Sequence, residues 1–74
     1  MQEKAKQIVA DYMKCDSKDI YVVWFCKTLQ NWKAILSTDI EKGWLFEVTY
    51  NGDKHESYLD AYKKAENHVV KEEA

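Results

Sequence analysis

The chain has no proline and only two glycines among its 74 residues. A phosphate-cradling loop needs several closely spaced glycines, so that chemistry is excluded. Long apolar runs are missing as well: the stretch IYVVWFC, from Ile20 to Cys26, falls far short of the roughly 20 residues that span a bilayer. The opening MQEKAKQIVADY is charged throughout and lacks the apolar middle of a secretory signal, so a soluble, cytoplasmic protein is expected. Basic charge is in deficit too, with 11 basic against 13 acidic residues and a formal charge of −2. Proteins that grip a phosphate backbone usually carry the opposite balance, because they must displace its counterions. Nucleic acid is therefore an unfavoured partner and another protein a favoured one. The two cysteines, Cys15 and Cys26, fall at a helix end and in mid-strand, which fits a reduced pair better than a disulfide.

What the chain does have is aromatic mass. Three tryptophans, five tyrosines and two phenylalanines give a short domain, spanning 1–74, enough apolar area to fold without staples. Residues 2–14 place Ala5, Ile8, Val9, Tyr12 and Met13 on one helical stripe. Residues 20–27 read as a strand covered on both faces, and 32–38 alternate as a second strand. Gly43 is the expected positive-φ residue of the next connection, and Trp44, Phe46, Val48 and Tyr50 mark one face of a third strand. Asn51-Gly52 predicts a two-residue hairpin turn into a short edge strand at 54–57. Ser57, with Asp60 three residues on, predicts the cap of a final helix over 58–71.

The resulting expectation is an α+β fold: an antiparallel meander of three to four strands with an N-terminal and a C-terminal helix on one face, in the order α-β-β-β-(β)-α. Its inward face would carry Val22, Trp24, Cys26, Ala34, Leu36, Phe46 and Val48. The outward face would carry Tyr21, Val23, Phe25, Ile35 and Leu45, an apolar patch of the kind monomers seldom expose, unless the two faces are exchanged. A partner-binding surface is expected there, or on the charged helix face of Lys63, Lys64 and Glu66.

Sites of chemistry are sparse. Asp11 and Cys15 lie one helical turn apart, and His68 or His55 could complete a zinc site, but the spacing matches no finger or ribbon and no cofactor is expected. Three strands would bring the ends bearing Cys15 and His68 together; four would separate them. Cys26 is expected as a buried, inert thiol. Glu47 is the one acid amid apolar neighbours, and a cross-strand pair with Lys33 or Lys27 accounts for it. No enzymatic activity is expected. The α-β-β-β-α order is shared with double-stranded-RNA-binding domains, but Lys63-Lys64-Ala65-Glu66 departs from their basic helix signature, so a nucleic-acid-binding regulator stays an alternative by topology alone.

The run VVWFCKTLQNWKAILST (Val22 to Thr38), with Tyr50-Asn51-Gly52-Asp53-Lys54 and Tyr58-Leu59-Asp60-Ala61-Tyr62-Lys63-Lys64, resembles a family of small proteins of phages and prophages of streptococci, lactococci and staphylococci. That resemblance carries no catalytic residue with it. It implies an accessory product acting in an infected cell's cytoplasm on a host protein, such as a defence nuclease of the type II CRISPR class, which it would inhibit. A homodimeric structural component is the other alternative.

Overall fold

A computed structural model of the protein describes residues 1–66 and 68–71. Helix α1, Gln2–Met13, is followed by one 3-10 turn at Ser17–Asp19 and then by four strands: β1 Ile20–Thr28, β2 Asn31–Thr38, β3 Trp44–Asn51 and β4 Glu56–Lys63. The strands form one antiparallel sheet in the order β1-β2-β3-β4. The α+β class and the meander are as expected from sequence. Among the described residues no helix is long and apolar enough to cross a membrane.

α1 begins without a side-chain cap and ends at Lys14, whose positive φ of 58° lets the N–H of Cys15 close on the Ala10 carbonyl. Its buried residues Ala5, Val9 and Ala10 lie against β1, β2 and β3. Small side chains at two of these positions bring the helix close to the sheet. Beneath it lie Ile20, Trp32, Ala34, Leu36, Phe46 and Val48, all buried. Phe46 is sealed by Trp44, stacked at 5.9 Å, and by the edge of Tyr12 at 6.0 Å. Beside it Phe25, Trp32 and Tyr50 form a second aromatic row, with the Lys4 ammonium 4.6 Å above the Tyr50 ring. Thr38 is buried but satisfied: its hydroxyl donates to the Asp19 carbonyl and accepts from the Ile40 N–H.

The C-terminal helix expected over 58–71 does not occur. Glu56–Lys63 is a strand, and residues 64–66 and 68–71 have no regular secondary structure. Asn67, within the expected helix, and residues 72–74 lie outside the described residues. The misleading signal has a geometric origin. Tyr58 and Tyr62 are four apart, a spacing that puts two residues on one face of a helix and also on one face of a strand. What decides is β3: as an edge it would leave a row of free backbone groups beside Phe46 and Val48, and pairing sets Ala61 and Leu59 opposite them. Ser57 is accordingly a mid-strand residue opposite Tyr50, not a helix cap.

The hairpin turns also differ. Asn51 pairs with Glu56, so the β3–β4 connection is the four residues 52–55, and the residue with positive φ in it is His55, at 53°. Asn51 holds this loop through its side-chain oxygen, which accepts from the N–H groups of Asp53 and Lys54. Gly52 is needed for proximity instead: a Cβ there would overlap the Gln30 carbonyl in the β1–β2 turn, and its N–H donates to the Asn31 side chain at 2.8 Å. Gly43 does have the positive φ expected of it, 89°.

Candidate functional site

Among the described residues, one side of the sheet has no helix on it. The position of each side chain there is fixed by an irregularity in β1. Val22 pairs with Leu36 and Trp24 with Ile35, so Val23 is an extra residue, a β-bulge. The bulge shifts the alternation by one. Before it Ile20 and Val22 face α1; after it Phe25 does, reaching Trp32 at 5.8 Å. Trp24 and Cys26, expected inside, are therefore on the open face and exposed, and Phe25, expected outside, packs against the core. Tyr21, Val23, Ile35 and Leu45 are on the open face as expected. The signal available in the sequence is the double valine at Val22-Val23, where a regular inside–outside pattern repeats one residue type.

The open face thus presents Tyr21, Val23 and Trp24 from β1, Ile35 from β2, Leu45 from β3, and Tyr58 and Tyr62 from β4. Val23 is 56%, Trp24 49% and Tyr62 53% exposed, and Ile35 is half-buried between them. Tyr58 and Tyr62 were not among the expected surface residues, because the helix reading placed them elsewhere. At the centre the Lys33 ammonium lies 3.6 Å from the Glu47 carboxylate. This is the cross-strand pair expected for Glu47; being partly exposed it adds little stability, and with Asp60 directly opposite Glu47 on β4 the middle of the face keeps an excess of one carboxylate. Two depressions mark the sheet surface, one reaching Lys33 and the other at the Gly43 end of β3 and β4. The first, of about 240 Å³, has Trp24, Cys26, Lys33 and Thr49 among its lining residues; the second, of about 360 Å³, is lined by Gly43, Trp44, Leu45, Tyr62, Lys63 and Lys64.

The charged alternative, Lys63, Lys64 and Glu66, is not a helix face. Lys63 ends β4 with its ammonium 5.5 Å over the Trp44 ring, Lys64 donates its backbone N–H to the Gly43 carbonyl, and Glu66 lies 2.7 Å from His68.

The proposed metal donors are otherwise engaged. Asp11 accepts from the Gln7 side chain at 2.8 Å, His68 is paired with Glu66, and His55 Nδ1 is 3.4 Å from the Tyr50 hydroxyl. Among the described residues no three His, Cys, Asp or Glu side chains come together to hold a metal ion. Cys15 is half-buried, and that burial together with the carboxylates of Asp19 and Asp16 raises its thiol pKa, which suppresses the thiolate. Cys26 is exposed. A maleimide reagent at neutral pH is accordingly expected to modify Cys26 first and Cys15 much more slowly, as peptide mass mapping over time would show; equal rates at the two thiols would contradict the placement of Cys26 on the open face.

On β4, the Tyr58 hydroxyl donates to the Glu56 carboxylate, and that hydrogen bond raises the Tyr58 pKa. Tyr58 is thus a neutral aromatic surface at every physiological pH.

A model of one protein family, described as a family of unknown function (DUF6275), matches residues 2–72. The chain belongs to DUF6275. Comparison with curated proteins and with solved structures returns no match. The family match covers α1 and all four strands, so the bulged sheet and its open face lie wholly inside the family unit.

Proposed function

We propose that this DUF6275 protein acts by stoichiometric binding of a partner protein, and that the open sheet face is its docking surface. The observation that carries this is the concentration of aromatic and branched side chains on the one face the fold leaves uncovered: Tyr21, Val23, Trp24, Ile35, Leu45, Tyr58 and Tyr62. Folding gains nothing from displaying them, and contiguous apolar faces of this kind mark interaction sites. Tyrosine and tryptophan are also the residue types that dominate binding energy at protein interfaces. The centre of the face, where the Asp60 carboxylate adds to the Lys33–Glu47 pair, disfavours a polyanion, and β4 stands where a double-stranded-RNA-binding domain needs its last helix, so the nucleic-acid alternative loses the topology on which it rested.

For the partner itself the resemblance to phage proteins supplies the class, a host defence nuclease that is held inactive in a one-to-one complex. The test is a cleavage assay with a purified type II CRISPR effector, preceded by capture of partners from host lysate and mass spectrometry. Trp24→Ala, or Val23→Lys with Ile35→Lys, is expected to weaken capture and inhibition at least about tenfold, corresponding to roughly 1.4 kcal/mol of lost binding. Lys18→Ala, on the 3-10 turn, should change neither. A partner bound equally by the folded face variants would sink the surface assignment; a captured partner that is no nuclease would sink the inhibitor reading and leave the surface standing.

A further inference from the structure

The chain holds three asparagines, Asn31, Asn51 and Asn67, and one of them, Asn51, precedes a glycine. Asparagine is a thermolabile residue, and the reaction that consumes it is intramolecular. The backbone nitrogen of the next residue attacks the side-chain amide carbon, and a glycine in that place leaves the nitrogen with no Cβ to shield it. Trp32 after Asn31 and His68 after Asn67 hinder the same attack. The fold nevertheless needs both halves of the labile pair. A Cβ on Gly52 would overlap the Gln30 carbonyl, so the glycine is required there. Asn51 Oδ1 accepts from the Asp53 N–H at 3.0 Å and from the Lys54 N–H at 3.3 Å, which holds the loop that follows.

The same contacts hold the reaction back. As the last residue of β3, paired with Glu56, Asn51 has an extended backbone, and ring closure requires its ψ to turn out of that range. The nucleophile is the Gly52 nitrogen without its proton, and in the fold that N–H is donated to Asn31 Oδ1 at 2.8 Å. An amide oxygen accepts a hydrogen bond but takes no proton, so this bond keeps the nitrogen unreactive. The Gln30 side chain, which donates to the Asp53 carboxylate, ties the β1–β2 turn to the β3–β4 loop a second time. Both contacts are exposed, so they open at far less cost than the core.

We propose that Asn51 is a site of spontaneous deamidation gated by the docking of these two turns, with Asn31 as the latch. When the turns part, the Gly52 nitrogen loses its proton to solvent and bonds to Asn51 Cγ; the Cγ–Nδ2 bond breaks, ammonia leaves and a cyclic imide remains. Water then opens the ring at either carbonyl. One product is aspartate; in the other, isoaspartate, the main chain runs through Cγ and is one carbon longer. That carbon falls where β3 enters the loop, so the pairing of Asn51 with Glu56 is lost, at the end of the hairpin that carries Tyr58 onto the open face. This inference does not depend on the identity of any partner protein.

Peptide mapping by mass spectrometry, following the amide-to-acid mass shift at Asn51 in the full chain at mildly alkaline pH, reads the rate. The folded chain is expected to react at least about tenfold more slowly than the chain unfolded in guanidinium at the same pH. Asn31→Ala should raise the folded rate severalfold, and Asn31→Asp, which keeps an acceptor oxygen for the Gly52 N–H, should restore it. Val48→Ala weakens the buried core without touching either turn, and it should leave the rate at Asn51 unchanged while circular dichroism shows a folded chain. Equal rates in the folded and unfolded chains overturn the proposal. So does an Asn31→Ala rate no higher than that of the unaltered chain, and so does a Val48→Ala rate that rises as far as that of Asn31→Ala, which would make global unfolding the gate.

Discussion

Phe46→Ala is expected to leave the protein barely folded, with the thermal midpoint lowered by at least about 12 °C. Phe46 is fully buried at the point where α1, β2 and β3 meet, and it ranks among the largest side chains the fold encloses. Truncating such a phenylalanine costs about 3–5 kcal/mol, the lost transfer energy plus the cavity left behind. A chain of 74 residues has a total stability of roughly 4–11 kcal/mol, so the loss is a large part of the whole. In a domain of this size each kcal/mol moves the midpoint by roughly 4–8 °C. Collapse of the neighbours can offset little of it: the Trp44 and Tyr12 rings already lie with their centroids 5.9 and 6.0 Å from that of Phe46, and the Lys63 ammonium lies 5.5 Å over the Trp44 ring. Urea unfolding followed by circular dichroism gives the value directly. A loss below 1 kcal/mol would mean that the helix does not rest on Phe46 at all.

The same residue shows how much of the fold was legible in the sequence. Phe46 and Val48 alternate with Glu47 and Thr49 so regularly that the inward face of β3 could be named at once, and Ala34 and Leu36 of β2 likewise. Alternation is a local property and β2 and β3 pair with each other without a register shift, so one phase holds from end to end. β1 is where this failed. Its residues are apolar on both sides, so the pattern carries no phase information, and a single extra residue at Val23 exchanged the faces of Trp24, Phe25 and Cys26. Of the residues expected on the outward face, Tyr21, Val23, Ile35 and Leu45 are on the open face, and Trp24 stands where Phe25 is expected.

The C-terminal segment departs from its sequence expectation for a different reason. Tyr58, Leu59 and Tyr62 satisfy a helical stripe, and Ser57 with Asp60 imitates a cap, whereas the strand is dictated by β3, a partner distant in the folding decision though adjacent in sequence. The consequence reaches the functional reading. A helix over 58–71 would have covered the α1 side of the sheet and left only the short strand at 54–57 beside β3; the strand Glu56–Lys63 instead adds Tyr58 and Tyr62 to the open face.

The bulge makes a second large prediction, which contrasts two single-residue deletions. Removing one of the adjacent valines Val22 and Val23 is expected to preserve the fold, because the remaining valine faces α1, Trp24 follows on the open face and Phe25 on the core side, the alternation that β1 has with the bulge taken out. The cost should lie within the ordinary range for a point change, about 0.5–3 kcal/mol. Removing Ile35 from β2 is expected to unfold the protein. β2 has no surplus residue to absorb the loss, so one half of the strand must reverse its faces, and either Trp32 and Ala34 or Leu36 and Thr38 leave the core. Losing Leu36 alone costs about 2–5 kcal/mol, and the backbone bonds of the slipped half are lost with it. Far-ultraviolet circular dichroism and urea titration of the two deletion variants read out the contrast, with maleimide labelling of Cys26 as an independent check that the valine deletion keeps this thiol on the open face. If the valine deletion unfolds the chain as completely as the Ile35 deletion, Val23 is an integral member of a regular strand, and Trp24 does not belong to the docking surface.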